Sequence, residues 1–533
     1  MNSSIDITES QLTSARACLD EGDAKKALSL SADLLTIDPS LIEAWRLLGE
    51  AFSALGEKEQ ACFAFKTICD LAPDDLENRV AVGRLLREMG EVHDSLKWFR
   101  ALLSDDDTCT DAMTEMHESL LAVSSLPTDE INIIAAECFD YYQTALINDP
   151  TRIDLYYSFS HLLIQLGRHD DSVNLLGSVR RFLDQDPVMN YNYAMTLKSA
   201  GMLPDALTAL EAIDPPKNDF GAKVLHAQAL IHLQQQNFAE GWRLWESRWQ
   251  DVHFIANNPN VMDDRLARWD GSHVKHLLVW AEQGVGDEVM FSSMLEDVAG
   301  LVDQLTVACD HRLLPIFERS FAPSITFVST ASQITATDFD AQIPMGSLGF
   351  HVRPDLVSFQ GNNTSWLSPA NDVVKKIRSN IGVSENTEIV GLSWFSNSKT
   401  HARLVRNVAL DKLIKKVGAE NRVFVCLQYG EVDDDIRDAF LATGVRLINP
   451  NDIDQKNDLE NLFNLIAACD QVFSIDNATV HFAGALGVKT TVLLPFMPDW
   501  RWPINATSSY WYKSLKAFKQ TTPGVWPALD SPQ

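Results

Sequence analysis

The chain has 533 residues, 46% of them hydrophobic and 22% charged, with a formal charge of −29. That length suits two to four folded units, and the balance is that of a globular rather than a disordered protein. The acidic excess argues against a broad nucleic-acid surface, which would be basic.

No apolar run nears the roughly 20 residues needed to span a bilayer. The polar, acidic start "MNSSIDITESQ" lacks the basic and apolar regions of a secretory signal. Eight cysteines are scattered and none forms a CxxC pair. Reduced, mostly buried thiols in a cytoplasmic protein are therefore expected, and neither a zinc site nor a disulfide framework. The sequons at Asn477 and Asn505 then read as chance matches.

The first half of the chain repeats. Gly22, Gly56 and Gly90 stand 34 residues apart, and five positions after each comes a small residue, Ala27, Ala61 or Ser95. Pro39 and Pro73 keep the same step, and Gly167 and Gly201 resume it, with Ser172 and Ala206 five positions on. A glycine permits a tight turn between antiparallel helices, and a small residue lets the two helices approach. In the fullest unit, Trp45, Leu48, Gly49, Phe52, Ala61, Phe65 and Pro73 take the spacings of a tetratricopeptide repeat. Their aromatic and leucine positions are expected to fill the contact with the next repeat. Residues 103–150 leave the period, so an irregular pair or a break is expected there. The array predicted over 1–250 is a superhelix, of the kind that binds an extended polypeptide on its concave face.

Past "NFAEGWRLWESRW" at 237–249 the texture changes. Apolar, β-branched runs at 276–283, 305–310 and 325–330, and again at 387–394, 421–428, 445–449, 471–476 and 490–495, alternate with helical stretches. Such runs predict parallel sheets covered on both faces. A polar helix and linker around 368–387 would separate two Rossmann-like halves, at 255–380 and 385–520, with a ligand cleft between their strand ends.

Two strand ends carry candidate chemistry. After "HLLVW" comes "EQGVGDE", one glycine short of a dinucleotide fingerprint and without the lysine of a P-loop. It reads as a phosphate cradle, a plain turn, or a turn shaped by Gln283, Gly284 and Gly286 that presents Asp287; a simple helix cap at Asp287 is the bland alternative. In "QVFSIDNATVHFAGALG" a strand ends at Asp476, and Asn477 is a good N-cap for a helix closed by Gly487. A helix opening at the carboxyl edge of a parallel sheet points free N–H groups and a positive dipole at a bound diphosphate. Thr479 and His481, in the first turn, could add hydroxyl and imidazole contacts, against the plainer reading that Asp476 and Asn477 cap a structural helix and His481 is a satisfied neighbour.

Together "EQGVGDEVMF", "LIAACDQVFSIDNATVHFAGALG", "LPFMPDWRWP" and "GWRLWESRW" resemble a bacterial family that joins tetratricopeptide repeats to a heptosyltransferase-like glycosyltransferase domain of the two-Rossmann GT-B type. The fold class expected is then α + α/β, a repeat superhelix followed by a GT-B pair with the acceptor side first and the nucleotide-sugar side second. The resemblance implies that Asp287 is the general base toward the acceptor hydroxyl, a poor nucleophile until its proton is accepted. It implies that Asp476, Asn477, Ala478, Thr479 and His481 meet the donor diphosphate, that Arg406 steadies donor phosphates or a sugar carboxylate where it is not simply an exposed loop arginine, and that Gln428 is a weaker cleft residue. Trp500 and Trp502 of "PDWRW" read as packing. It implies no metal and no cofactor beyond the nucleotide-sugar, and the "DDD" runs at 105–107 and 433–435 read as solvated surface. One departure is clear: in "SWFSNSKTHARLVRN", Ser396 and Arg403 stand where a glycine and an acid are expected, beside the retained Trp394, Asn397 and Arg406.

The expectation is a metal-independent, inverting glycosyltransferase acting on a protein held by the repeats, flagellin being one example, with oligomers possible. Its rivals are an inactive repeat scaffold with a degenerate transferase half, and a transferase acting on lipopolysaccharide or another glycan.

Overall fold

Gly22, Gly56 and Gly90 each adopt a left-handed backbone, with φ of 85°, 79° and 84°, and each closes a helix pair. The computed structural model describes residues 2–122, 128–183, 186–258, 266–332, 334–359, 365–382, 386–396, 406–450, 453–504 and 507–527. It divides into two compact units, Met1–Leu163 and Ile164–Gln533.

In the first unit the helix pairs are Asn2–Asp20 with Ala24–Ile37, Ile42–Ala54 with Lys58–Leu71, and Leu76–Glu88 with Val92–Asp105. Their packing explains the spacing. A Cβ on Gly49 would stand 2.9 Å from Phe65 Cζ, and one on Gly83 2.4 Å from Phe99 Cζ, so each aromatic ring lies directly on a glycine of the partner helix. Ala61, Phe65 and Ile68 then pack on Val82, Leu85 and Leu86 of the next pair. Truncating a ring such as Phe99, which is fully buried, costs about 3–5 kcal/mol in a packed core. The fourth pair departs as the sequence suggests: Thr110–Ala122 is followed by Thr128–Asn148, of 21 residues where the preceding second helices have 14.

The second unit carries two further helical hairpins, Pro187–Ser199 with Leu203–Glu211 and Asp219–Gln234 with Phe238–Trp245. The last turns through Gln236, left-handed at φ 63°, and not through a glycine. The small residue is nevertheless five positions on, as Gly241, where a Cβ would stand 2.7 Å from Leu233. Trp242 and Trp245 of this hairpin pack on Trp500, and Arg248 reaches Glu282 through a doubly hydrogen-bonded, buried ion pair. Such a pair is costly to break, because a lone buried charge remains.

Two parallel sheets follow. The first contains β1 (His276–Trp280), β2 (Gln304–Cys309), β3 (Ile325–Ser329) and β4 (Ala341–Pro344) in the order β3-β2-β1-β4. The second contains β5 (Glu388–Ser393), β6 (Arg422–Cys426), β7 (Leu447–Ile448), β8 (Gln471–Ile475), β9 (Thr490–Leu494) and β10 (Leu515–Lys519) in the order β10-β9-β8-β5-β6-β7. β8 is buried along its whole length, as expected for a strand covered on both faces. The edge strands β4 and β10 are additions to the sequence reading: "AQIP" is short and ends in proline, and "LKAFK" alternates like a surface strand. Each order reverses once, between β1 and β4 and between β5 and β8. Those reversals are the places where open α/β sheets bind ligands, beyond the carboxyl strand ends. No helix among the described residues is long and apolar enough to cross a membrane.

Candidate functional site

Both candidate turns fall at these reversals. Beyond β8, Asn477 caps the helix Ala478–Ala485: its Oδ1 accepts from Thr479 N at 3.1 Å, and its Nδ2 donates to Ser393 Oγ at the end of β5 (2.8 Å). One of the donors expected to be free is therefore taken by the chain itself. Thr479 is buried, and His481 is sealed by stacking on Trp502 (centroids 5.6 Å) and by a 2.7 Å bond between Nδ1 and the Tyr512 hydroxyl. Burial drives the His481 imidazole down to about 3 and pushes the Tyr512 phenol far above its usual range, so this pair is neutral at physiological pH. Gln428 is likewise engaged: Oε1 accepts from Ser393 Oγ, Trp394 N and Phe395 N, so it shapes the loop after β5 rather than facing a cleft.

Beyond β1 the left-handed residue is Gln283, with φ 65°, while Gly284 has an ordinary φ of −108°. Gly286 has a different task from turn geometry. A Cβ there would stand 3.3 Å from both Ala478 Cα and His481 Cδ2. The helix Val285–Ser292 therefore lies directly on the helix Ala478–Ala485, and the two turns touch where the sequence reading placed a gap. The lack of a side chain at Gly286 is the physical reason.

Arg501 joins the two turns. Its Nε and Nη2 both donate to Asp287 Oδ1, the former at 2.8 Å, and Nη2 also reaches Gln283 Oε1 at 3.4 Å. Its guanidinium also pairs with Asp499 and lies 4.9 Å over the Trp500 ring. Burial disfavours this cation, but Asp287, Asp499 and Asp476 outweigh that and hold it firmly protonated. Asp287 keeps Oδ2 free of hydrogen bonds among the described residues and is half-buried. Its neighbour Glu288 is buried, with Oε2 accepting from Asp310 N at 2.9 Å, and burial raises its carboxyl to about 7.

On the other side of Asp476 lies a cavity of about 350 Å³, whose lining includes His169, Lys198, Arg406, Asp476, Phe496 and Asp499. Arg406 approaches Asp476 at 3.9 Å, and its Nε is buried without a hydrogen-bond partner among the described residues. Lys198 is contributed by the helix Pro187–Ser199, and its Nζ makes no hydrogen bond among the described residues. Burial raises the Asp476 carboxyl, and Arg406 opposes that rise. Two cations, Lys198 and Arg406, thus face two carboxylates, Asp476 and Asp499, around this cavity, and burial works against the charge on Lys198 while Asp499 supports it. Asp476 and Arg406 thus meet in one cavity, while Asp287 is tied to it through Arg501. The altered loop at Asn397 and Arg403 lies outside the described residues. Arg501 and Lys198 escaped the sequence reading. Arg501 stood in the quoted "PDWRW" between two tryptophans, and nothing local pairs it with a residue 214 positions earlier.

Residues 42–75 match the tetratricopeptide repeat family. The chain is 28% identical over 528 residues to Protein FlbA of Caulobacter vibrioides, spanning 95% of this chain and 85% of that protein. It is also 28% identical over 114 residues to the human General transcription factor 3C polypeptide 3, spanning 21% of this chain and 13% of that one. Among solved structures it is similar to a tetratricopeptide repeat protein from Parabacteroides merdae (13% identity, TM-score 0.36, 47% of this chain and 95% of that one). It is also similar to a glycosyl transferase family 9 protein from Veillonella parvula (11% identity, TM-score 0.34, 49% and 88%).

Proposed function

We propose that the protein is an inverting glycosyltransferase that takes a sugar from a nucleotide-sugar donor and places it on an acceptor held by the repeats. A protein acceptor is the first choice, with flagellin one example. The observation that carries this reading is the cavity at the β5/β8 reversal, where Lys198 and Arg406 stand beside Asp476 and Asp499 with donors unused among the described residues. Free cationic donors of this kind are what the oxygens of a diphosphate require of a binding site.

In the reaction the acceptor oxygen bonds to the anomeric carbon, the bond from that carbon to the phosphate oxygen breaks, and the nucleoside diphosphate leaves. Asp287 Oδ2 takes the acceptor proton, while Arg501 fixes the carboxylate through Oδ1. Lys198 and Arg406 balance the charge that builds on the leaving group. The direct test incubates the purified chain with candidate acceptor proteins and a pool of nucleotide-sugars and reads intact mass. A mass increase is expected, and Asp287→Ala should slow it by about 10²–10⁴, the usual worth of a general base. A mass increase undiminished in Asp287→Ala would remove Asp287 from the role.

A second reading, an inactive scaffold, is favoured by the Arg501 pair that occupies Asp287 and by the self-capped helix at Asn477. Calorimetry separates the two, because a scaffold takes up no nucleoside diphosphate.

A further inference from the structure

The irregular fourth helix pair of the first unit carries chemistry that the regular pairs lack. His117 on the helix Thr110–Ala122 places Nε2 3.2 Å from His161 Nδ1 on the helix Ile153–Gln165, and 3.2 Å from Glu118 Oε1. The third side of the triangle, His161 Nδ1 to Glu118 Oε1, is 3.8 Å. These three atoms form the one His/Cys/Asp/Glu cluster of metal-holding geometry among the described residues. A tetrahedral ion with bonds of about 2.0–2.1 Å keeps its ligand atoms roughly 3.3 Å apart, so little movement is needed to seat one.

The surroundings fit as well. His117 is almost fully buried, and its other nitrogen, Nδ1, lies 2.9 Å from the Tyr142 hydroxyl. With Nδ1–H donating to that oxygen, the Nε2 lone pair is directed at the cluster, which is how a second hydrogen bond sets the tautomer of a ligating histidine. Tyr142 is itself stacked on Phe159 (centroids 5.3 Å, 11° between planes), so the supporting group is held in place.

We infer that His117, Glu118 and His161 form a binding site for a divalent transition metal of the zinc type. Two imidazoles and one carboxylate are a zinc ligand set that leaves a fourth position for water. The location gives the site a purpose. Gly90 and Gly167 are 77 residues apart, nine more than two repeat periods, and the long helix Thr128–Asn148 takes up the excess. In a repeat array each unit leans only on its neighbours, so a misfit weakens the array locally. A metal bonded to both His117 and His161 clamps the helix before the misfit to the helix after it.

The test uses the full chain, stripped with a chelator and titrated with zinc by calorimetry. Cobalt is added as a second probe, read from its visible absorption, which is intense for a four-coordinate ion. One zinc per chain is expected, with a rise in melting temperature. His161→Ala and Glu118→Gln, both at partly exposed positions, should each weaken zinc binding at least tenfold and abolish the melting shift. Tyr142→Phe should weaken it about 10–100-fold through the second hydrogen bond alone. No heat and no melting shift with a tenfold excess of zinc would overturn the proposal. So would wild-type affinity in His161→Ala, which would place the metal elsewhere.

Discussion

At the end of β1 the chain turns through Gln283 and Gly284 into a helix that leaves Asp287 half-exposed, whereas at the end of β8 it turns through Asp476 and Asn477 into a helix whose first residues are sealed. Both turns sit at a reversal of strand order and both carry an acid. The first acid is answered by a full ion pair from Arg501; the second, buried, has Arg406 only at 3.9 Å. The comparison teaches that a strand-end turn does not by itself make an anion site. What distinguishes the two is how completely their charges and donors are already used. The turn beyond β8 has a self-capped helix, yet incompletely used cations stand beside it. The turn beyond β1 has a satisfied cation and a carboxylate oxygen to spare.

Four substitutions press on that difference, in falling order of expected effect. Arg501→Met strands Asp287, Asp499 and Asp476 near one another without their shared cation. A loss of roughly 3–5 kcal/mol is expected from urea unfolding, as for other broken buried pairs. A loss below about 1 kcal/mol would mean that Arg501 does not hold the two turns together.

Glu288→Gln should act through pH. The folded carboxyl titrates near 7 against an ordinary 4.5, so the folded state holds its proton more tightly. The stability that this proton provides is present at low pH and is lost as pH rises from 4.5 to 7. The glutamine variant should therefore match the parent near pH 4.5 and exceed it near pH 8 by roughly 3 kcal/mol. Equal stability at both pH values would place Glu288 in a wetter setting than the fold gives it.

Gly286→Ala pushes a methyl group against Ala478 Cα and His481 at 3.3 Å. Overpacking of this kind costs about 1–3 kcal/mol, and unchanged stability would show that the two turns are not in contact in solution. Lys198→Met leaves the sheets intact and removes one cation from the cavity. Binding of a nucleoside diphosphate should weaken about tenfold, the worth of one charge-assisted contact. Unchanged affinity would take the repeat hairpin out of the anion site.

Much of the architecture was legible because its signals are local. The 34-residue glycine step appears as left-handed φ angles, and apolar runs bounded by turns appear as parallel strands. The last hairpin was harder to see, since Gln236 takes the left-handed position, although Gly241 kept the small-residue offset. β4 and β10 were hidden because edge strands need little hydrophobic run of their own. At the candidate site the acids and the N-cap could be placed from the strand ends. Their partners could not: Arg501 meets Asp287 across 214 residues, and His117 meets His161 across 44, so only the fold brings them together. The close contact at Gly286 escaped for a related reason, since a glycine reads the same whether it turns the chain or makes room for another helix.

The placement of Arg501 over Trp500 has an optical consequence. The indole is 4% exposed and has a guanidinium 4.9 Å from its ring, so its excited state senses that charge more than it senses bulk water. A shift of Arg501 away from Asp287 alters the field on the ring, and the emission of Trp500 shifts with it. The difference in emission between the protein and Trp500→Phe isolates that signal and reads the Arg501 contact without a label, on the timescale of mixing.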